Sequence, residues 1–227
     1  MTKTQGKNII VCTLTVLIYF LWSYLVSGLT SLFNLQGNIK LWISALIFAI
    51  LLLIYIIVYH RDLKTSLKNL KKDFLKNNLS SLKIFFLGYS IYFIISTLIN
   101  VFFPDIYYVN NTLEGFRTIP VLAIFFMLIY YPIIEELVFK LSFKKIITNK
   151  WSFVIITGFL NAFFQVALSA TNTISLIIIL SDTIFYMTLS YIYFETDNIF
   201  ISIFYRMLSN ILPVIATCFS IAGVFLK

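Results

Sequence analysis

The chain has 227 residues, of which 60% are hydrophobic, 18% aromatic and only 11% charged, with a mean hydropathy of +0.96. This excludes an ordinary soluble domain, which is roughly 25% charged, and identifies a polytopic membrane protein. The formal charge of +8 does not point to nucleic acid, because the cations flank apolar stretches where an anionic membrane surface attracts them.

Apolar stretches long enough to cross a hydrocarbon core of about 30 Å recur at about 9–33, 40–59, 84–103, 120–142, 151–170, 173–194 and 198–224. They predict about seven spans. Long runs of Ile, Leu and Phe lack the ten-residue alternation of a membrane β-barrel, and a helix satisfies its own backbone in lipid. The expected fold is therefore an all-α polytopic transmembrane bundle, a single integral membrane domain over 1–227. The first stretch is too long for the apolar region of a signal peptide and reads as span one.

Lys3 and Lys7 precede span one. Seven cations from Arg61 to Lys83 lie between spans two and three, and Lys140, Lys144, Lys145 and Lys150 lie at or beyond the end of span four. Lys40, Arg117 and Lys227 fall on the other side. By the positive-inside rule the N-terminus is expected in the cytoplasm. Cys12 and Cys218 each fall inside a span, far apart in sequence, which suits neither a disulfide framework nor a metal site.

Within 60–83, Leu63, Leu67, Leu70, Phe74, Leu75 and Leu79 recur at helical spacing among lysines. That pattern predicts an amphipathic helix on the membrane surface. The segment 104–119 reads as an external loop punctuated by Pro104 and Gly115. Asn110-Asn111-Thr112 matches a glycosylation sequon, a match common by chance.

Two adjacent acids, Glu135 and Glu136, lie in the fourth span, where each ionised carboxylate costs roughly 2.5–3.5 kcal/mol on insertion scales. Polar groups that persist there are expected to meet one another or a hydrated cavity. The others are Lys140 on span four, Asn161 and Gln165 on span five, Asp182 on span six, and Arg206 and Asn210 on span seven. Glu136 and Lys140 are four apart in the favourable order for a helical ion pair. Glu135 lies about 100° around the helix from Glu136 and must find a partner elsewhere. Pro132 and Pro213, close to the two clusters, are expected to kink their helices.

The string Glu135-Glu136-Leu137-Val138-Phe139-Lys140 resembles the EExxxR motif of the CPBP family, the CAAX-protease and bacteriocin-processing group of intramembrane proteases. In that family an FxxxH helix follows, then a polar turn and an HxxxN helix. Here Tyr193 to Phe200 resembles the turn, and Arg206-Met207-Leu208-Ser209-Asn210 stands at the last motif. The resemblance covers about 120–215, four spans, and implies a family core over 120–224 behind N-terminal spans over 8–103 with a basic linker at 60–83. The departures are as informative as the matches. Lys140 replaces the arginine, Ala167 or Leu168 stands at the second-motif histidine, Arg206 replaces the last histidine, and the only histidine, His60, lies at the end of span two.

In the family, the first glutamate and the second-motif histidine are thought to activate water, and the last histidine and asparagine to hold the oxyanion. The resemblance therefore assigns catalytic positions to Glu135, Glu136, Arg206 and Asn210, with Lys140, Asn161, Gln165 and Asp182 as binding or supporting residues. A buried carboxylate can serve alone as a base, but Gln165 cannot accept a catalytic proton. Glu135, Glu136 and Asp182 without an imidazole are a poor zinc set, so neither metal nor other cofactor is expected.

Three functional expectations follow. The first is a bacterial cytoplasmic-membrane protein on the CPBP scaffold that acts by binding, in bacteriocin self-immunity or in regulation of a membrane or peptide partner, with Glu135 and Arg206 as a lock. The second is an active endopeptidase or acyl-transfer enzyme that uses Glu135 as base. The third is a proton-coupled transporter relaying protons through Asp182 and Glu135.

Overall fold

The computed structural model describes residues 3–104, 119–169 and 174–225, all of them in helices and short connections. The protein is all-helical. Helix α1 spans Lys3–Leu32 and α2 Gly37–Val58. The turn between them uses left-handed backbone at Asn34 (φ 50°) and Gly37 (φ 57°), residue types that tolerate it. Trp22 of α1 donates its indole N–H to the carbonyl of Ile47 on α2 at 3.2 Å.

Tyr59 alone separates α2 from α3, which runs unbroken from His60 to Phe102. The expected surface helix at 60–83 is therefore not a separate element, because neither Pro nor Gly occurs between His60 and Leu87 to interrupt it. At 1.5 Å per residue α3 is about 65 Å long. Leu63, Leu70 and Leu82 pack on the interior while Leu67 and Leu79 stay exposed. The side chains of Phe74 and Leu75 lie outside the described residues, as do that of Cys218 and the whole of Asn110 to Thr112.

Helix α4 covers 120–144 and is not uniform. Regular turns at Pro120–Ile124, Tyr131–Glu135 and Ser142–Lys144 alternate with π-helical turns at Phe125–Tyr130 and Glu136–Leu141. Helix α5 is Lys150–Ser169, and a short 3₁₀ turn at Ile174–Ile177 leads into α6, Ile178–Thr196. Helix α7, Ile199–Phe225, continues through Pro213. Helices α5 and α6 pack closely at Gly158, where an added Cβ would lie 2.8 Å from the backbone nitrogen of Met187. Near that crossing Thr157 donates to Ser190 at 2.8 Å.

Among the described residues, four stretches are long and apolar enough to cross a membrane: Gln5–Leu32, Gly37–Val58, Asn78–Phe102 and Lys150–Ala167, with Ile199–Ile215 shorter. Of the seven expected spans, the three without such a helix are α4, α6 and α7. The π turns divide α4 into short regular pieces, and Ser181, Asp182, Thr183 and Ser190 dilute the apolar character of α6.

One end of the bundle gathers the charged connections. Lys145 pairs with Asp62 at 2.7 Å, Lys150 with Glu195, and Lys144 with Asp197 at 3.9 Å. Burial lowers the Lys144 ammonium from its ordinary pKa, against the pull of Asp197 and Glu195, and its Nζ sits 3.3 Å from the centre of the Phe194 ring. The polar turn between α6 and α7 is fixed by Asn198, whose Oδ1 accepts from the backbone of Phe200 and whose Nδ2 donates to the Ser66 carbonyl of α3.

Candidate functional site

The two glutamates diverge, as their angular separation on the helix requires. Glu136 is fully buried and pairs with Lys140, itself fully buried, among Leu137, Val138 and Phe139. One oxygen of Glu136, Oε2, has no hydrogen-bond partner among the described residues. Glu135 turns the other way and accepts a hydrogen bond from Arg206 Nη2 on α7 at 3.1 Å. The pairing across helices expected for Glu135 is present, and so is the local pairing of Glu136 with Lys140.

Two further side chains complete the Glu135 cluster. The Tyr186 hydroxyl lies 3.3 Å from Glu135 Oε2 and hydrogen-bonds the side-chain oxygen of Gln165, which also accepts from Arg206 Nη2 at 3.2 Å. Arg206 also donates to the Tyr186 hydroxyl oxygen, and its guanidinium carbon stands 4.8 Å from the Tyr186 ring and 5.3 Å from that of Phe185. Tyr186 is the residue that sequence reasoning missed. Its signal was present, because it lies four residues after Asp182 and so shares that acid's helix face.

Asn210 is held for a reason rooted in α4. The Tyr131 N–H bonds the carbonyl of Phe126, five residues back. Pro132, the next residue in that register, has no N–H to offer the carbonyl of Met127. Asn210 Nδ2 supplies the donor at 2.7 Å. The proline thus acts through a wide turn and a cross-helix bond. Such π turns inside helices often mark functional sites.

A cleft of about 920 Å³ opens beside this cluster, lined by Glu135, Gln165, Asp182, Tyr186, Arg206 and Asn210 among others. Asp182 faces the cleft, and no ion pair reaches it among the described residues. Asn161 is buried away from the cleft with its Nδ2 unpartnered, and Lys140 belongs to the sealed side of α4. Of the eight residues singled out from the sequence, five converge on the cleft and Glu136, Lys140 and Asn161 do not. Among the described residues, no three His, Cys, Asp or Glu side chains come together as a metal site would require.

Residues 117–212 match the family model described as Type II CAAX prenyl endopeptidase Rce1-like. The CPBP resemblance holds over this stretch. It spans α4 to α7, the helices that carry both ion pairs, and together with the apolar helices it supports a multi-pass membrane protein that is similar to that family over this stretch. No curated protein and no solved structure matches the chain.

Lys140, Arg206 and Asn210 are the residues that the resemblance read from the sequence sets against the CPBP family's motif positions. Gln165 is the α5 side chain that reaches Arg206 and Tyr186. Proton-transfer chemistry is poorly served by this set. Arginine stays charged, and an amide neither takes nor gives a proton at ordinary pH.

Proposed function

We propose that this CPBP-type protein acts by binding through its cleft rather than by cleavage, in bacteriocin self-immunity or in regulation of a membrane partner. We infer that it resides in a bacterial cytoplasmic membrane with its N-terminus in the cytoplasm, which the skew of lysines toward one end of the bundle supports.

The observation that carries this reading is the ion pair between Glu135 and Arg206, 3.1 Å apart and both nearly buried. A general base must accept a proton from water. Protonating Glu135 would strip Arg206 of its counter-charge, and on the cleft wall the loss of that partner costs about 1–3 kcal/mol. At 1.36 kcal/mol per tenfold, that slows the step by roughly fivefold to somewhat over a hundredfold. Neither Gln165 nor Tyr186 offsets this by acting as a second base.

A second reading, a glutamate-dependent endopeptidase or acyl-transfer enzyme, draws on one observation. Glu135, Arg206 and Asn210 line a single cleft, so an acid and two hydrogen-bond donors share one space. One experiment separates the two. Purified protein in detergent is incubated with a library of tagged peptides and membrane proteins beside Glu135→Gln. Intact substrates with both proteins are expected; cleavage by the wild type alone would overturn the binding reading and establish the enzyme.

A further inference from the structure

The cleft holds one more acid than it has cations among the described residues that line it. Among the described residues that line it, only Glu135, Asp182 and Arg206 are ionisable near neutral pH, and Arg206 is committed to Glu135. Asp182 is left as an acid without an ion-pair partner among the described residues, inside low-dielectric walls that strengthen its attraction for a cation that enters.

The wall beside it is aromatic. Phe185, one turn along α6 from Asp182, packs its ring 5.5 Å from Tyr92 and 6.1 Å from Tyr89 of α3. Tyr19 and Tyr24 of α1 and Tyr131 of α4 face the same space. Aromatic faces attract organic cations, the more so where water is excluded. This wall already holds one cation, since the Arg206 guanidinium lies over the Phe185 and Tyr186 rings. At about 920 Å³ the cleft is within the range that binds drug-sized or short peptide ligands.

We propose that the cleft is a subsite for the cationic side chain of a peptide, a lysine ammonium or an arginine guanidinium, with Asp182 as counter-charge and the α3 and α6 rings as its cage. This deepens the binding reading and rests on it by naming the chemistry of the ligand. The polar groups of Ser96 and Asn100, on the same cleft, are available to the peptide backbone.

The test uses the full-length protein in nonionic detergent and two fluorescent tripeptide amides, Leu-Lys-Leu and its counterpart with norleucine at the centre, which keeps the stem and lacks the ammonium. Binding is read by fluorescence anisotropy, and the recovered peptides are checked by mass. The lysine peptide is expected to bind about tenfold more tightly, equivalent to one good cation–aromatic or charge contact. Asp182→Asn is expected to erase that preference while leaving the affinity for the norleucine peptide unchanged, which also reports that the variant is folded. If the asparagine variant binds neither peptide, Asp182→Glu must restore the preference. Equal affinity of the wild type for the two peptides, a preference that survives Asp182→Asn, no binding at all, or a failure of Asp182→Glu to restore the preference would each overturn the proposal. Cleaved peptide with the preference intact would instead overturn the non-catalytic reading and leave the cation subsite standing.

Discussion

The two ion pairs of α4 start from adjacent residues and end in opposite circumstances. Glu136 and Lys140 form a pair within one helix, sealed in an apolar interior with nothing to do but neutralise each other. Glu135 reaches Arg206, 71 positions away, on the wall of a cleft and in the company of Gln165 and Tyr186. The contrast shows that intramembrane charge alone does not identify a site. Both pairs solve the same desolvation problem, yet only one faces space that a ligand could occupy.

The sharpest way to break the comparison is to remove half of each pair. Lys140→Met strands Glu136, whose Oε2 already lacks a hydrogen-bond partner among the described residues, and is expected to cost about 3–5 kcal/mol by denaturant unfolding in detergent micelles. The double variant Glu136→Leu with Lys140→Met should recover most of that loss, since well-packed apolar residues often equal a buried pair. If it does not, the sealed pair has a role beyond neutralisation.

Arg206→Met strands Glu135 on the cleft wall instead, where water can reach the carboxylate. A smaller loss is expected, about 1–3 kcal/mol, with partner or peptide binding more affected than stability. An equal loss from both single substitutions would mean that the cleft is as dry as the sealed side.

Asn210→Ala leaves the Met127 carbonyl without the donor that Pro132 cannot provide, for an expected cost of about 1–2 kcal/mol. Asp62→Asn, which removes the half-exposed pair with Lys145, should change stability by less than about 1 kcal/mol. Together these two separate a bond that shapes α4 beside the cleft from one that merely decorates an end of the bundle.

Much of this arrangement was legible in residue order. Spacing alone paired Glu136 with Lys140, sent Glu135 to another helix and marked Arg206 and Asn210 as one face of α7. Asp182, Gln165 and Arg206 do meet on one cleft. The split of the polar set was not legible, because Asn161 and Gln165 share a spacing but only Gln165 reaches the cluster; which turn faces the cleft depends on how α5 packs against α6. Pro132 was read as a kink, whereas its consequence is a displaced hydrogen-bond register that Asn210 completes. Tyr186 escaped notice because tyrosine is abundant in this chain and its hydroxyl acquires meaning only beside charged neighbours. Four of the seven expected spans are long apolar helices among the described residues, and the count is least legible where α4 and α6 trade apolar continuity for wide turns and polar side chains.

Helix α3 has a consequence for connectivity. Asp62, in its first turn, is tethered to Lys145, and Ser96 and Asn100, near its far end, form part of the cleft rim. Neither proline nor a break in helical structure intervenes. The lysine-rich end and the cleft therefore share one continuous helix, which links the Asp62–Lys145 tether to the residues that line the cleft. Gly88, where any larger side chain would collide with Thr188 of α6, lies between the two and lets that helix pack closely against α6.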